Sequence, residues 1–120
     1  MDGTRRKARA NLEAARRLAE LDLFDASANR AYFAAFQAGV DWMTHMGRRP
    51  DEFTRGATRW QHATIVGNAS LYRRRLADVA LFRELRALRV QADYGETPVK
   101  NDRVRAVLAR ARDLVEEVCR

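Results

Sequence analysis

Apolar residues recur three and four positions apart along almost the whole chain, and that spacing predicts helices. The first, over residues 4–21, brings Ala8, Leu12, Ala15 and Ala19 to one stripe, with Leu18 beside it and Thr4 as the expected N-cap. Arg5, Arg6, Arg9, Glu13, Arg16 and Arg17 fall on its other side and read as a solvated face. The second helix, over 25–46, is apolar almost all round, as a central helix contacted by several neighbours must be. Ala31, Ala34, Ala35, Ala38 and Gly39 keep it slim, while Tyr32, Phe33, Phe36, Trp42 and Met43 supply bulk. Arg30, Gln37 and Asp41 recur at i, i+7 and i+11 and form its one wet line, until Gly47 stops the helix.

Residues 47–58, GRRPDEFTRGAT, read as a polar connection rich in turn formers. A short helix follows over 59–69, and a longer one over 71–94 with Leu81, Leu85, Leu88 and Ala92 as its core stripe. Phe82, Arg86, Arg89 and Asp93 repeat the same spacing one position on, so Arg86, Arg89 and Asp93 share an edge beside the core. A last helix over 101–119 starts at Asn101 as N-cap and turns Val104, Val107, Leu108, Ala111, Val115 and Val118 inward. No strand pattern competes with this assignment. The pattern predicts an all-α fold, in a single domain over residues 1–120.

Composition sharpens the picture in three ways. Apolar residues at 47% and charged residues at 32% are a globular balance. Cys119 is the only cysteine, so no intramolecular disulfide forms, and it reads as a small hydrophobe on the last helical turn. No run of about 18 apolar residues occurs, so no membrane span is expected, and the N-terminus has no apolar stretch after its basic residues. The expectation is a cytoplasmic protein. A net charge of +7 favours acidic partners, nucleic acid first among them. Lysine occurs only at Lys7 and Lys100, so 21 of the 23 basic residues are Arg, whose planar fork suits phosphate.

The candidate chemistry gathers at the end of the fourth helix. Arg89 and Asp93 stand four residues apart, in the weaker orientation for a helical ion pair. Asp93 also lies near a helix C-terminus, where a carboxylate opposes the macrodipole. It therefore needs a cation from elsewhere, and Arg30 on the wet line of the second helix is the candidate. The structural reading is an ion pair and a helix cap; the functional reading is a polar cleft for a nucleotide or an RNA phosphate, with Arg30, Arg86, Arg89, Asp93 and Tyr94 as its residues. His45, near the end of the second helix, reads as a favourable C-terminal cation, and His62 as a half-buried histidine. Arg73, Arg74 and Arg75 would crowd positive charge at a helix start. No Gly-rich phosphate loop, metal-ligand cluster or Ser/His/Asp set stands out, so neither a metal nor a cofactor is expected.

The two segments NRAYFAAFQAG and LRALRVQADYGE together resemble the HEPN domain family of prokaryotes. Arg30, Ala31, Tyr32, Phe33 and Ala34 match its Arg-Ala-Tyr-Tyr-Ala pattern, with Phe33 in place of the second Tyr. Arg89, Asp93 and Tyr94 match its Arg-x-x-x-Asp-Tyr at the close of the penultimate helix, and the helix order agrees over about residues 8–118. The resemblance implies a four- to five-helix up-and-down bundle, commonly a homodimer, paired with a minimal nucleotidyltransferase in a toxin–antitoxin-type system. Its active members are metal-independent RNases with an Arg-x4–6-His motif. In that motif the Arg holds phosphate and the His handles the proton of a ribose hydroxyl. Here the expected His positions after Arg89 hold Tyr94, Gly95 and Glu96. The resemblance then implies a nucleotide- or RNA-phosphate-binding partner protein. The alternative is an RNase with a variant site, with Arg89, Tyr94 and His62 as its catalytic candidates.

Overall fold

In the computed structural model, residues 3–73 and 76–119 are described, with side-chain surroundings omitted for 69–79. Among the described residues the chain forms five α-helices and no strand. They are α1 (Gly3–Glu20), α2 (Phe24–His45), α3 (His62–Arg73), α4 (Leu76–Tyr94) and α5 (Asn101–Val118), with one 3-10 turn at Pro50–Glu52. No described helix is long and apolar enough to cross a membrane.

Helix α2 is the hub and packs against each of the other four. Its small residues explain why. Ala28, Ala31, Ala34, Ala35, Ala38 and Gly39 are all buried, so neighbouring helix axes approach closely on several sides. Helix α1 answers with Ala8, Leu12, Ala15 and Ala19, an equally slim stripe. The two run antiparallel: Ser27 Oγ at the start of α2 donates to the Ala15 carbonyl at 2.7 Å, while Arg5 reaches Asp41 at 3.3 Å from the opposite end. Leu81, Phe82, Leu85 and Leu88 of α4 close the core with Val104, Val107, Ala111, Leu114 and Val115 of α5. These residues, with Ile65 of α3, form one hydrophobic cluster drawing on all five helices.

The helix boundaries depart from the sequence reading in four places. Thr4 lies inside α1, whose described part begins at Gly3, and Asn101 is the first residue of α5 rather than its cap. Asn101 instead accepts a hydrogen bond from Arg105 Nε one turn on, at 2.5 Å. The third helix starts at His62, leaving Trp60 outside it against Phe53. It then continues to Arg73, because residues 68–73 contain no Gly or Pro to break it where a break was expected. Arg73 thus lies in α3 rather than at the start of the next helix, and Arg74 and Arg75 lie outside the described residues. Two glycines follow helix ends, Gly47 as expected. Gly47 takes φ +75° after α2. Gly95 ends α4, where a Cβ would sit 2.6 Å from the Gln91 carbonyl oxygen that its own N–H reaches at 2.8 Å.

Asp41 corrects the expected wet line. It is 3% exposed, paired with Arg5 at 3.3 Å and lying 3.5 Å from His45 Nδ1. Arg5 also touches His45 Nε2 at 3.4 Å, while Nδ1 lies 2.9 Å from the Asp41 carbonyl; the tautomer carrying Nδ1–H fits both contacts. His45, in the last turn of α2, therefore completes a polar lock on Asp41. Arg9 donates to the Cys119 carbonyl nearby and ties the end of α5 to α1. Burial, aided by Asp41, pushes the Cys119 thiol up to about 11. That thiol is buried and inert.

Candidate functional site

Tyr32, His62 and Arg89 come from three different helices and meet beside the core. Tyr32 sits on the face of α2 that looks toward α3 and α4, one turn before Phe36. His62 opens α3 and slides its ring between them: parallel to Phe36 with centroids 4.1 Å apart, and parallel to Tyr32 at 5.5 Å. The Tyr32 hydroxyl and His62 Nδ1 lie 2.8 Å apart, one hydrogen bond in either tautomer. Arg89, on the edge of α4, lays its guanidinium over two rings, 5.0 Å from the Tyr32 centroid and 5.1 Å from that of Phe33. Both lie within the range of a cation–π contact.

Charge and burial set the protonation of this cluster. Burial, with the Arg89 cation adding to it, lowers the His62 pKa, so its imidazole is neutral near neutral pH. Burial raises the Tyr32 pKa, against the partly offsetting charges of Arg89 and Arg86. Both groups are therefore neutral, one proton lies in the hydrogen bond between hydroxyl and Nδ1, and His62 Nε2 has no hydrogen-bond partner among the described residues. Arg89 is one-third exposed, and its Nε is buried without a hydrogen bond, 3.6 Å from Asp93 Oδ2. A partly desolvated guanidinium is a stronger anion ligand than an exposed one, because screening is weak there.

The remaining candidates divide around this cluster. Asp93 is held by an outside group, but not by Arg30: Asn29 Nδ2 donates to both its oxygens at 3.1 and 3.3 Å, and its nearest cation is Arg89 of its own helix. Arg30 instead donates to Asn11 of α1 at 3.4 Å. Arg30 and Asp93 do line one small cavity of about 220 Å³, yet Asp25 lines it too, so two carboxylates face one guanidinium. That balance disfavours a phosphate. Arg86 is exposed and acts on Tyr32 through its charge alone. Tyr94 is 82% exposed at the end of α4 and makes no hydrogen bond or ring contact among the described residues.

Tyr32 itself was read in the sequence as core bulk. The available signal was its place within the Arg-Ala-Tyr pattern and its i, i+4 relation to Phe36, but nothing in one dimension pairs it with His62, thirty residues away. No group of metal-ligating side chains occurs among the described residues. No family model matches the chain, and no curated protein matches it.

Proposed function

We propose that this protein is a HEPN-like module that binds a nucleotide or an RNA phosphate at Arg89, beside Tyr32 and His62. In this reading it acts as the partner of a minimal nucleotidyltransferase in a toxin–antitoxin-type pair. The observation that carries the reading is the Arg89 guanidinium. It lies within cation–π distance of two aromatic rings, partly desolvated, with its Nε beside Asp93 but making no hydrogen bond. The planar fork suits a phosphate. The same reading makes the protein a two-fold homodimer through the exposed side of α4, where Val90 at 51% and Tyr94 at 82% stand one turn apart in solvent.

Anisotropy titration of a labelled single-stranded RNA tests the site. Arg89→Ala is expected to weaken binding by at least about 1.5 kcal/mol, the low end for a hydrogen bond to a charged group. Arg6→Ala, on the outer face of α1, is expected to change it little. Equal losses from the two would mean diffuse charge only and would remove the site. An adjacent gene encoding a nucleotidyltransferase would support the partner, and failure of the two products to co-purify would count against it.

One observation favours a second reading, a metal-independent RNase. A neutral imidazole, His62, stands on the same tyrosine as the phosphate-binding candidate Arg89. It has the protonation state a general base needs to take a proton from a ribose hydroxyl. Brisk cleavage in the presence of a chelator, lost in both Arg89→Ala and His62→Ala, would replace the binding reading with this one.

A further inference from the structure

We propose that the groove between α1 and α5 is a second phosphate-binding site, which takes the phosphodiester backbone of single-stranded RNA. It rests on the function proposed above for the class of ligand and on its own residues for the place. Arg16 of α1 and Arg105 and Arg112 of α5 line a cavity of about 250 Å³, with Ala19 and Leu108 among its apolar lining. Arg105 and Arg112 are seven residues apart, so they stand two turns apart on one face of α5, roughly 10 Å along the axis.

The arginines of α5 are sorted by face. Arg103 and Arg110, another pair seven residues apart, both turn to Glu84 of α4, at 3.8 and 2.6 Å. Those two are engaged in the fold. Arg105 has no carboxylate within ion-pair distance among the described residues; its Nε bonds the neutral Asn101, and its guanidinium lies 5.8 Å from the Phe24 ring centroid. Among the described residues Arg112 has only Asp113, at 3.7 Å, and Arg16 only Glu13, at 2.7 Å, both in exposed pairs. Such pairs are worth little and yield readily to a better anion. Glu20 also lines the cavity, but three guanidinium groups against one carboxylate leave it positive. Their mutual repulsion is relieved when a phosphate enters between them.

Size decides between a small molecule and a chain. Pockets that enclose a whole ligand usually measure about 300–1,000 Å³. This groove is smaller and open, room for one phosphate and its sugar rather than a whole cofactor. Its apolar lining suits the sugar. Among the described residues α1 packs on α2 and α5 and not on α3 or α4. The groove is therefore separate from the Tyr32, His62 and Arg89 cluster, which α2, α3 and α4 build.

The experiment measures RNA affinity against salt for two double variants of equal charge change, Arg105→Gln/Arg112→Gln and Arg103→Gln/Arg110→Gln. All four positions are on the surface of α5, and far-UV circular dichroism confirms that both variants fold. The first variant is expected to lose about tenfold or more in affinity, with the slope of log K against log salt falling by about 1.4, or 0.7 per lost single-strand contact. The second is expected to lose less than half as much. Equal losses, or no loss in the first variant, would overturn the proposal. Adenosine monophosphate binding lost in the first variant with RNA affinity intact would also overturn it, in favour of a nucleotide pocket. Arg89→Ala separates the two sites: losses that add mean two independent contacts. A normal Arg89→Ala with a weakened Arg105/Arg112 variant would sink the Arg89 site and leave this one standing.

Discussion

His62 is less willing to carry a proton in the folded bundle than in the unfolded chain, because burial and the Arg89 cation both disfavour its charge. A base whose folded pKa lies below its usual 6.5 binds the proton more tightly when unfolded. Its contribution is intact above that value and is lost as pH falls through the window beneath it. The thermal midpoint of the wild type should therefore decline on acidification from pH 6.5, and His62→Gln should flatten that part of the curve. Curves that stay parallel would mean that His62 does not titrate against folding. Asp41 offers a second measurement at this scale. At 3% exposure its carboxylate is held by Arg5, which is itself one-quarter exposed. Asp41→Ala should cost about 2 kcal/mol by urea denaturation, below the roughly 3–5 kcal/mol of a fully buried pair. An effect under half a kcal/mol would show that Arg5 relaxes into water without loss.

At the scale of elements, α2 explains most of the bundle. A helix that touches four others has room for few large side chains, and its alanines set the closeness of α1. Ala31→Leu should then overpack the core and destabilise by about 1–3 kcal/mol. Ala10→Leu, on the exposed side of α1, should leave stability within about half a kcal/mol. Calorimetry on the two variants checks this, and similar midpoints would mean that α1 and α2 are loosely packed. The central place of α2 was legible in its apolar circumference. The continuation of α3 to Arg73 was not, because NASLYR continues a helix as readily as it starts one.

For the whole molecule, charge and exposed apolar surface make separate predictions. Proposed dimerisation through α4 gives light scattering twice the 13.8 kDa of the chain. Val90→Glu, which puts a carboxylate on that exposed face without touching the core, should return the mass to that of the monomer. A wild-type monomer at tens of micromolar would refute the interface. The arginine excess was plain in the sequence, but its meaning depended on which guanidinium groups find carboxylates once the helices pack. Arg103 and Arg110 do, on Glu84; Arg105 does not.

The sequence by itself determined the all-α class, the inward stripes of α1, α4 and α5 and the hub role of α2. Those depend on the 3.6-residue period, which is local and survives in one dimension. It also marked Arg89 as standing beside the core. Tertiary structure decided which polar groups meet. Asp93 turned to Asn29 instead of Arg30, and His62 inserted between Tyr32 and Phe36. Asp41 left the expected wet line for a buried lock with Arg5 and His45. Each of these contacts depends on the rotation and spacing of two or more helices. Shifting one helix by a residue turns its face by about 100°, so periodicity along a single helix cannot choose the partner.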